Sequence, residues 1–83
     1  MRRYFFSISG ELTVGDDEGV AIPSLGAARS QAVKVMSELL ADRRDTMRPD
    51  ASICVTVADD AGLTLMTVQT TLTVAPALGQ ARF

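Results

Sequence analysis

The chain contains no histidine and a single cysteine, Cys54. Each shortage closes off a class of chemistry. Without histidine there is no Cys-His pair, and a lone thiol lacks the base that would make it a nucleophile. One cysteine cannot form an intramolecular disulfide, and without a second cysteine or a histidine it cannot build a structural zinc site. Positive charge is also short. Eight Lys and Arg stand against ten Asp and Glu, for a net charge of −2 and a pI near 4.8. That is the wrong sign for a general polyanion binder. No segment approaches the ~18 apolar residues of a membrane span. The Arg2-Arg3 start is not followed by the ~7–15-residue apolar run of a secretory signal, because Ser7 and Ser9 interrupt it. No membrane association and a cytoplasmic location are therefore expected. Walker and GxSxG motifs are absent as well.

What remains is 83 residues that are 47% hydrophobic. That is a globular composition with room for one small domain, whose stability is expected to be marginal. Small domains are commonly stapled by disulfides, metal or oligomerisation. Only the last is left to this chain.

Residues 3–9 alternate, with Tyr4, Phe6 and Ile8 on one face and Phe5, Ser7 and Ser9 on the other, which predicts a strand. Gly10 interrupts it, and Leu12-Thr13-Val14 resumes extended character. Gly15-Asp16-Asp17-Glu18-Gly19 has turn chemistry, and Val20-Ala21-Ile22 can return as a short strand. Ser24 is placed as an N-cap, although Ala27 leaves the capping box incomplete. Leu25, Ala28, Ala32, Val35 or Met36, and Leu39 recur at spacings of three and four, so a helix is predicted over 24–45 with an Ala-rich inner stripe. Arg43 and Arg44 are expected in its last turn, favourably placed against the dipole. Strands at 52–58 and 63–68 join through the turn Asp59-Asp60-Ala61-Gly62. Thr70 to Val74 could prolong the last strand beyond the reach of its partner. The expected core is Phe6, Ile8, Leu25, Ala28, Ala32, Leu39, Ile53, Val55 and Val57.

The fold class is α+β: a small antiparallel sheet of about four strands in ββ-α-ββ order, with one long helix packed on one face. Residues 1–75 form the single domain and 76–83 a C-terminal tail, in which Leu78 and Phe83 could dock.

The run Arg3-Tyr4-Phe5-Phe6, then Asp17-Glu18-Gly19, then Pro23-x-Leu25-x-Ala27-Ala28-Arg29, resembles a family of short bacterial proteins. Its members open with a Met-Pro-Arg-Tyr-Phe-Phe type sequence and continue through an Asp-Glu-Gly…Pro-x-Leu-x-x-Ala-Arg segment. Their closing hairpin is similar to Asp59-Asp60-Ala61-Gly62 and Met66-Thr67-Val68. The resemblance covers about residues 1–68. The family is a domain of unknown function, so the resemblance implies a fold and no activity. Three positions depart from it: Arg2 replaces the usual Pro, Ser7 stands where His is common, and Gln69 stands where a Pro-Phe pair often follows. The first two weaken any role of strand one as a shared chemical site.

Asp16, Asp17 and Glu18 are read as a solvated turn with Asx-type bonding rather than a cation site, because adjacent carboxylates cannot all converge on one ion. Asp59 and Asp60 are read the same way. Cys54 is expected to be a structural thiol within a strand. Arg2, Arg3, Tyr4, Phe5 and Phe6 could stack bases and hold phosphates, but the strand at 52–57 supplies no second aromatic set. Lys34, Arg43, Arg44 and Arg48 are interleaved with Asp42, Asp45 and Asp50, a mixed-sign surface. No catalytic, cofactor-binding or metal-binding residues are assigned, and no cofactor is expected.

The favoured reading is a non-enzymatic interaction module, acting as a homodimer or docking on a protein partner. Its expected surface is Arg3, Tyr4, Phe5, Thr70, Leu72 and Val74. The alternative is small-ligand or nucleic-acid binding through the uncovered sheet face, although nucleic acid is disfavoured. The character of that face discriminates among them. Apolar and flat suits protein, basic and aromatic suits nucleic acid, and a concave pocket with an isolated carboxylate suits catalysis.

Overall fold

The structure is a computed structural model that describes residues 1–75. Two periodicities in the chain become two layers. Four strands, β1 (Arg2–Gly10), β2 (Val20–Ile22), β3 (Ser52–Ala58) and β4 (Thr64–Thr71), form an antiparallel sheet in the order β2-β1-β3-β4. One helix, α1 (Leu25–Asp42), packs on one face, mainly over β3. This is the expected α+β fold. The expected tail at 76–83 lies outside the described residues.

Alternation in β3 is complete. Ile53, Val55 and Val57 are fully buried beneath the helix, while Cys54, Thr56 and Ala58 face away. Cross-strand register carries that division outward. Phe6 stands opposite Val57, and Ile8 opposite Val55. On the other side Met66 stands opposite Val57, Val68 opposite Val55 and Thr70 opposite Ile53. Ala28, Ala32 and Met36 close the core from the helix, and the absence of bulk at the two alanines lets its axis approach the sheet. Leu39 and Val35 are partly buried against them. Burying three such β-branched side chains stabilises by roughly 1.5–3 kcal/mol each.

The helix begins as its sequence implies. Ser24 is extended, and its Oγ accepts the Ala27 N–H at 3.1 Å. It ends at Asp42 rather than near Asp45. Arg43 leaves helical geometry at φ −113°, and its carbonyl accepts the Thr46 and Met47 N–H groups, a separate turn leading to Pro49. Arg43 and Arg44 therefore lie past the last helical turn, contrary to expectation. Leu25 is a second correction: at the first helical position it is 50% exposed, over the rim of the sheet instead of its centre.

The end of β4 is a third. The segment from Thr70 does not outrun its partner. Thr71 pairs with Ser52, and Leu72 exchanges bonds with the β3 lead-in, donating to Ala51 O at 3.1 Å and accepting from Asp50 N–H at 2.7 Å. Asp50 takes φ +64° to make that approach. No helix of the described residues is long and apolar enough to cross a membrane.

Candidate functional site

A sheet of four strands has two edges, and the chain treats them differently. On the β1 side the chain returns after Gly10 and pairs again at Val14, whose N–H and C=O exchange bonds with Ile8 at 2.9 and 2.8 Å. It pairs once more at Val20, opposite Tyr4. Between those contacts the Phe6 N–H has no ladder partner on this side. Asp16 supplies one: its Oδ2 accepts that N–H at 2.9 Å, while Oδ1 accepts from Glu18 and Gly19 at 3.1 and 2.9 Å. The carboxyl is held below its ordinary value of 3.8, first by the Phe6 N–H and then by that of Gly19; partial burial opposes the shift, and Glu18 N–H and the Arg3 charge assist it. Arg3 fastens the same loop by donating to the Glu18 and Gly19 carbonyls, at 2.6 and 3.1 Å. The Asx-type reading of this turn holds, with a wider role: one side chain completes the edge of the sheet. At the β3–β4 turn, Asp59 Oδ1 likewise accepts from Ala61 and Leu63, both at 2.9 Å.

These contacts account for half of the expected interaction surface. Tyr4 is 4% exposed and belongs to the core, a correction to its placement on that surface. The alternation that put it with Phe6 and Ile8 already required this. Phe5 is half-buried on the opposite face, and Arg3 is occupied by the loop. The other half, Thr70, Leu72 and Val74, lies across the sheet near the far end of β4, so the structure does not bring the two halves together. Thr70 is half-buried on the helix side, whereas Leu72 is exposed.

The opposite edge is β4. Because Leu72 bonds toward β3, the strand's alternation turns Val68 and Thr70 the same way and aims the N–H and C=O groups of Thr67, Gln69 and Thr71 outward. No strand lies beyond them among the described residues. Residues 61–75 carry no charged side chain and no proline. The devices that ordinarily blunt an edge are therefore missing along most of β4, apart from a bulge opposite Val57 and Ala58. Above this edge, between the start of α1 and β4, lies an open apolar depression of about 220 Å³ lined by Leu25, Gly26, Arg29 and Met66. None of its residues was assigned to a site from the sequence, where Leu25 was expected in the core. The missing charge of 61–75 was the available signal.

The uncovered sheet face is largely polar, with hydroxyls prominent. Ser7, Thr56 and Thr67 make one cross-strand row, and Ser9, Cys54 and Gln69 the next. Its aromatic and its cation, Phe5 and Arg3, both sit against the Asp16–Gly19 loop. Such a face can meet water without cost. A second depression, of about 500 Å³, lies among residues 44–49 and Leu72, where Asp45 is paired with Arg44 at 3.6 Å. Among the described residues no group of three or more His, Cys, Asp or Glu could hold a metal ion.

No curated protein and no solved structure matches the chain. A family model does, over residues 3–71, which takes in the helix and all of the strands but the first residue of β1. On that match the chain belongs to the family described as a domain of unknown function, DUF6894.

Proposed function

We propose that this domain is a non-enzymatic interaction module that binds extended protein main chain by strand addition at the β4 edge. The observation that carries the reading is the outward row of Thr67, Gln69 and Thr71 backbone groups on an uncharged strand. Main-chain bonds of this kind supply affinity, and adjacent pockets supply selectivity. The depression beside Met66 is placed to receive a side chain of the added strand, on the helix face of the sheet. The hydroxylic open face argues against that face as the contact. It offers little apolar area to a protein, and little free charge or aromatic surface to a nucleic acid. A free, half-buried thiol at Cys54 suits a reducing compartment, and we place the module in the cytoplasm.

The test is a titration of the isotope-labelled chain with a synthetic peptide of its own residues 63–73, followed by NMR. Shifts confined to β4 and the start of α1, with slowed exchange of the Thr67, Gln69 and Thr71 amides, support the reading. Shifts centred on Ser7, Thr56 and Thr67 side chains, or no shifts at millimolar peptide, remove it.

A further inference from the structure

Resting on the strand-addition reading, we infer that the occupant of the β4 edge is a second copy of this chain, paired antiparallel along β4 about a twofold axis at Val68. The argument begins with the count of open edges. The outer side of β1 is filled by Asp16, Val14 and Val20 and ends on the three-residue β2, so β4 is the one long open edge among the described strands. Two copies joined there use up both open edges and form a closed assembly that does not propagate.

The alternation then restricts the register. Outward groups belong to odd-numbered residues from Thr67 to Thr71, so self-pairing must bond odd to odd, and the axis must fall on a residue. Placing it at Val68 lays Thr67 against the partner's Gln69 and keeps the pairing along almost the whole of β4. On the helix face, Val68 meets the partner's Val68 at the axis, an apolar contact. On the open face the row of hydroxyls and amides continues across the junction.

Charge permits this apposition. A twofold brings side chains beside the axis near their own copies, so charge there would repel itself. Residues 61–75 have none. The nearest cation on the helix flank, Arg29, sits beside Met66, off the axis, and its two copies fall on opposite sides of it.

Area is the last consideration. A stable pairing buries about 800 Å² per partner, more than a strand edge supplies by itself. The helix flank adds apolar area to it. Leu25 and Arg29 line the depression toward β4, and Val33 follows Arg29 one turn on, on the same side. Leu25 is 50% and Val33 53% exposed, and pairing gives both a cover.

The test is a charge exchange across the axis. One variant carries Thr67→Lys and Gln69→Lys, and a second carries Thr67→Glu and Gln69→Glu. Both positions are exposed, and each variant's fold is checked by its helix signal in circular dichroism. By light scattering the wild-type chain is expected to be a dimer, each variant alone a monomer, and the equimolar mixture a dimer again. In the wild type, exchange of the Thr67, Gln69 and Thr71 amides should slow in proportion to the free fraction, about tenfold when nine chains in ten are paired. That readout stands even where a variant fails to fold. A wild-type chain that is monomeric at millimolar concentration overturns the second copy, while binding of the 63–73 peptide to that monomer would leave strand addition in place. A dimer whose edge amides exchange at unchanged rates also overturns the second copy at β4, and strand addition falls with it if the 63–73 peptide leaves those amides unshifted.

Discussion

The two edges of this sheet meet the same hazard with opposite means. On the β2 side the strand is three residues long, and the chain fills the remaining edge with a carboxylate, an isolated bridge at Val14 and an arginine clamp. On the β4 side an eight-residue strand pairs with β3, in register but for the one bulge, and carries no charge. Unpaired N–H and C=O groups are equally unfavourable on either side when left dry, and equally available to another chain when left open. The difference therefore separates an edge built to be finished from one left to be completed. It also says where substitutions should hurt the fold and where they should hurt only association.

The largest effect should come from the finished edge. Gly19 lies at φ +70°, and a Cβ there would stand 2.8 Å from Arg3 Cγ, 2.9 Å from the Phe5 ring and 2.9 Å from the Tyr4 carbonyl oxygen. Backbone strain and clash combine, because the carbonyl cannot move without breaking the β1 ladder. Gly19→Ala should lower stability by about 3 kcal/mol, read as the shift in urea midpoint. A change below about 1 kcal/mol would mean that this loop is not packed as described.

Asp16 comes next. Replacing it with Ala releases three backbone N–H groups, and hydrogen bonds to a charged acceptor are worth more than neutral ones; partial exposure lets water recover some of the loss. We expect about 1–2 kcal/mol. The sign with pH follows from the lowered carboxyl. A depressed folded value means that the contribution is complete above the ordinary value of 3.8 and fades as pH falls through the folded one. The stability gap between wild type and Asp16→Asn should accordingly be constant near neutrality and close in acid below that value. A gap that widens in acid would contradict the assignment.

Much of this was legible in the residues, and the failures have physical reasons. The switch from period two to period 3.6 and back placed β1, β3, β4 and the helix, turn chemistry suggested β2, and Ser24 marked the helix start. Local periodicity is a backbone property, so it survives into the fold. Edges are not local. Nothing in Asp16 announces that Phe6, ten residues earlier, would lack a partner there, since that depends on how far the chain strays between Val14 and Val20. Tyr4 was misplaced because an aromatic near a basic terminus was read by type, against an alternation that already put it inside. The helical stripe left Val35 and Met36 as alternatives, three and four residues on from Ala32, and packing chose Met36 for the interior. The pairing of Leu72 with Ala51 required Asp50 to take a positive φ, which no propensity would have favoured.

The turn beside the open edge supplies a matched control for Gly19. Gly62 also has positive φ, at +83°, but a Cβ there meets nothing within 4 Å. Gly62→Ala should carry the conformational penalty alone, about 1 kcal/mol, by the same urea measurement. Equal losses at the two glycines would erase the contrast between a packed edge and an open one.

The smallest effect is the most discriminating. Thr67 points its side chain to the hydroxylic face opposite Thr56, is exposed, and turns its N–H and C=O away from β3. In a free molecule Thr67→Lys removes no ladder bond and buries no charge. The loss of a β-branched side chain from a strand is a few tenths of a kcal/mol. Stability measured at chain concentrations dilute enough to keep the protein monomeric should therefore stay within about 0.5 kcal/mol of wild type. At high concentration the two should diverge, because only the wild-type chain gains from mass action on the paired state. A loss above about 1 kcal/mol in the dilute regime would show that Thr67 is already engaged within its own molecule. The β4 edge would then be as finished as its counterpart, and the asymmetry on which the functional reading stands would be gone.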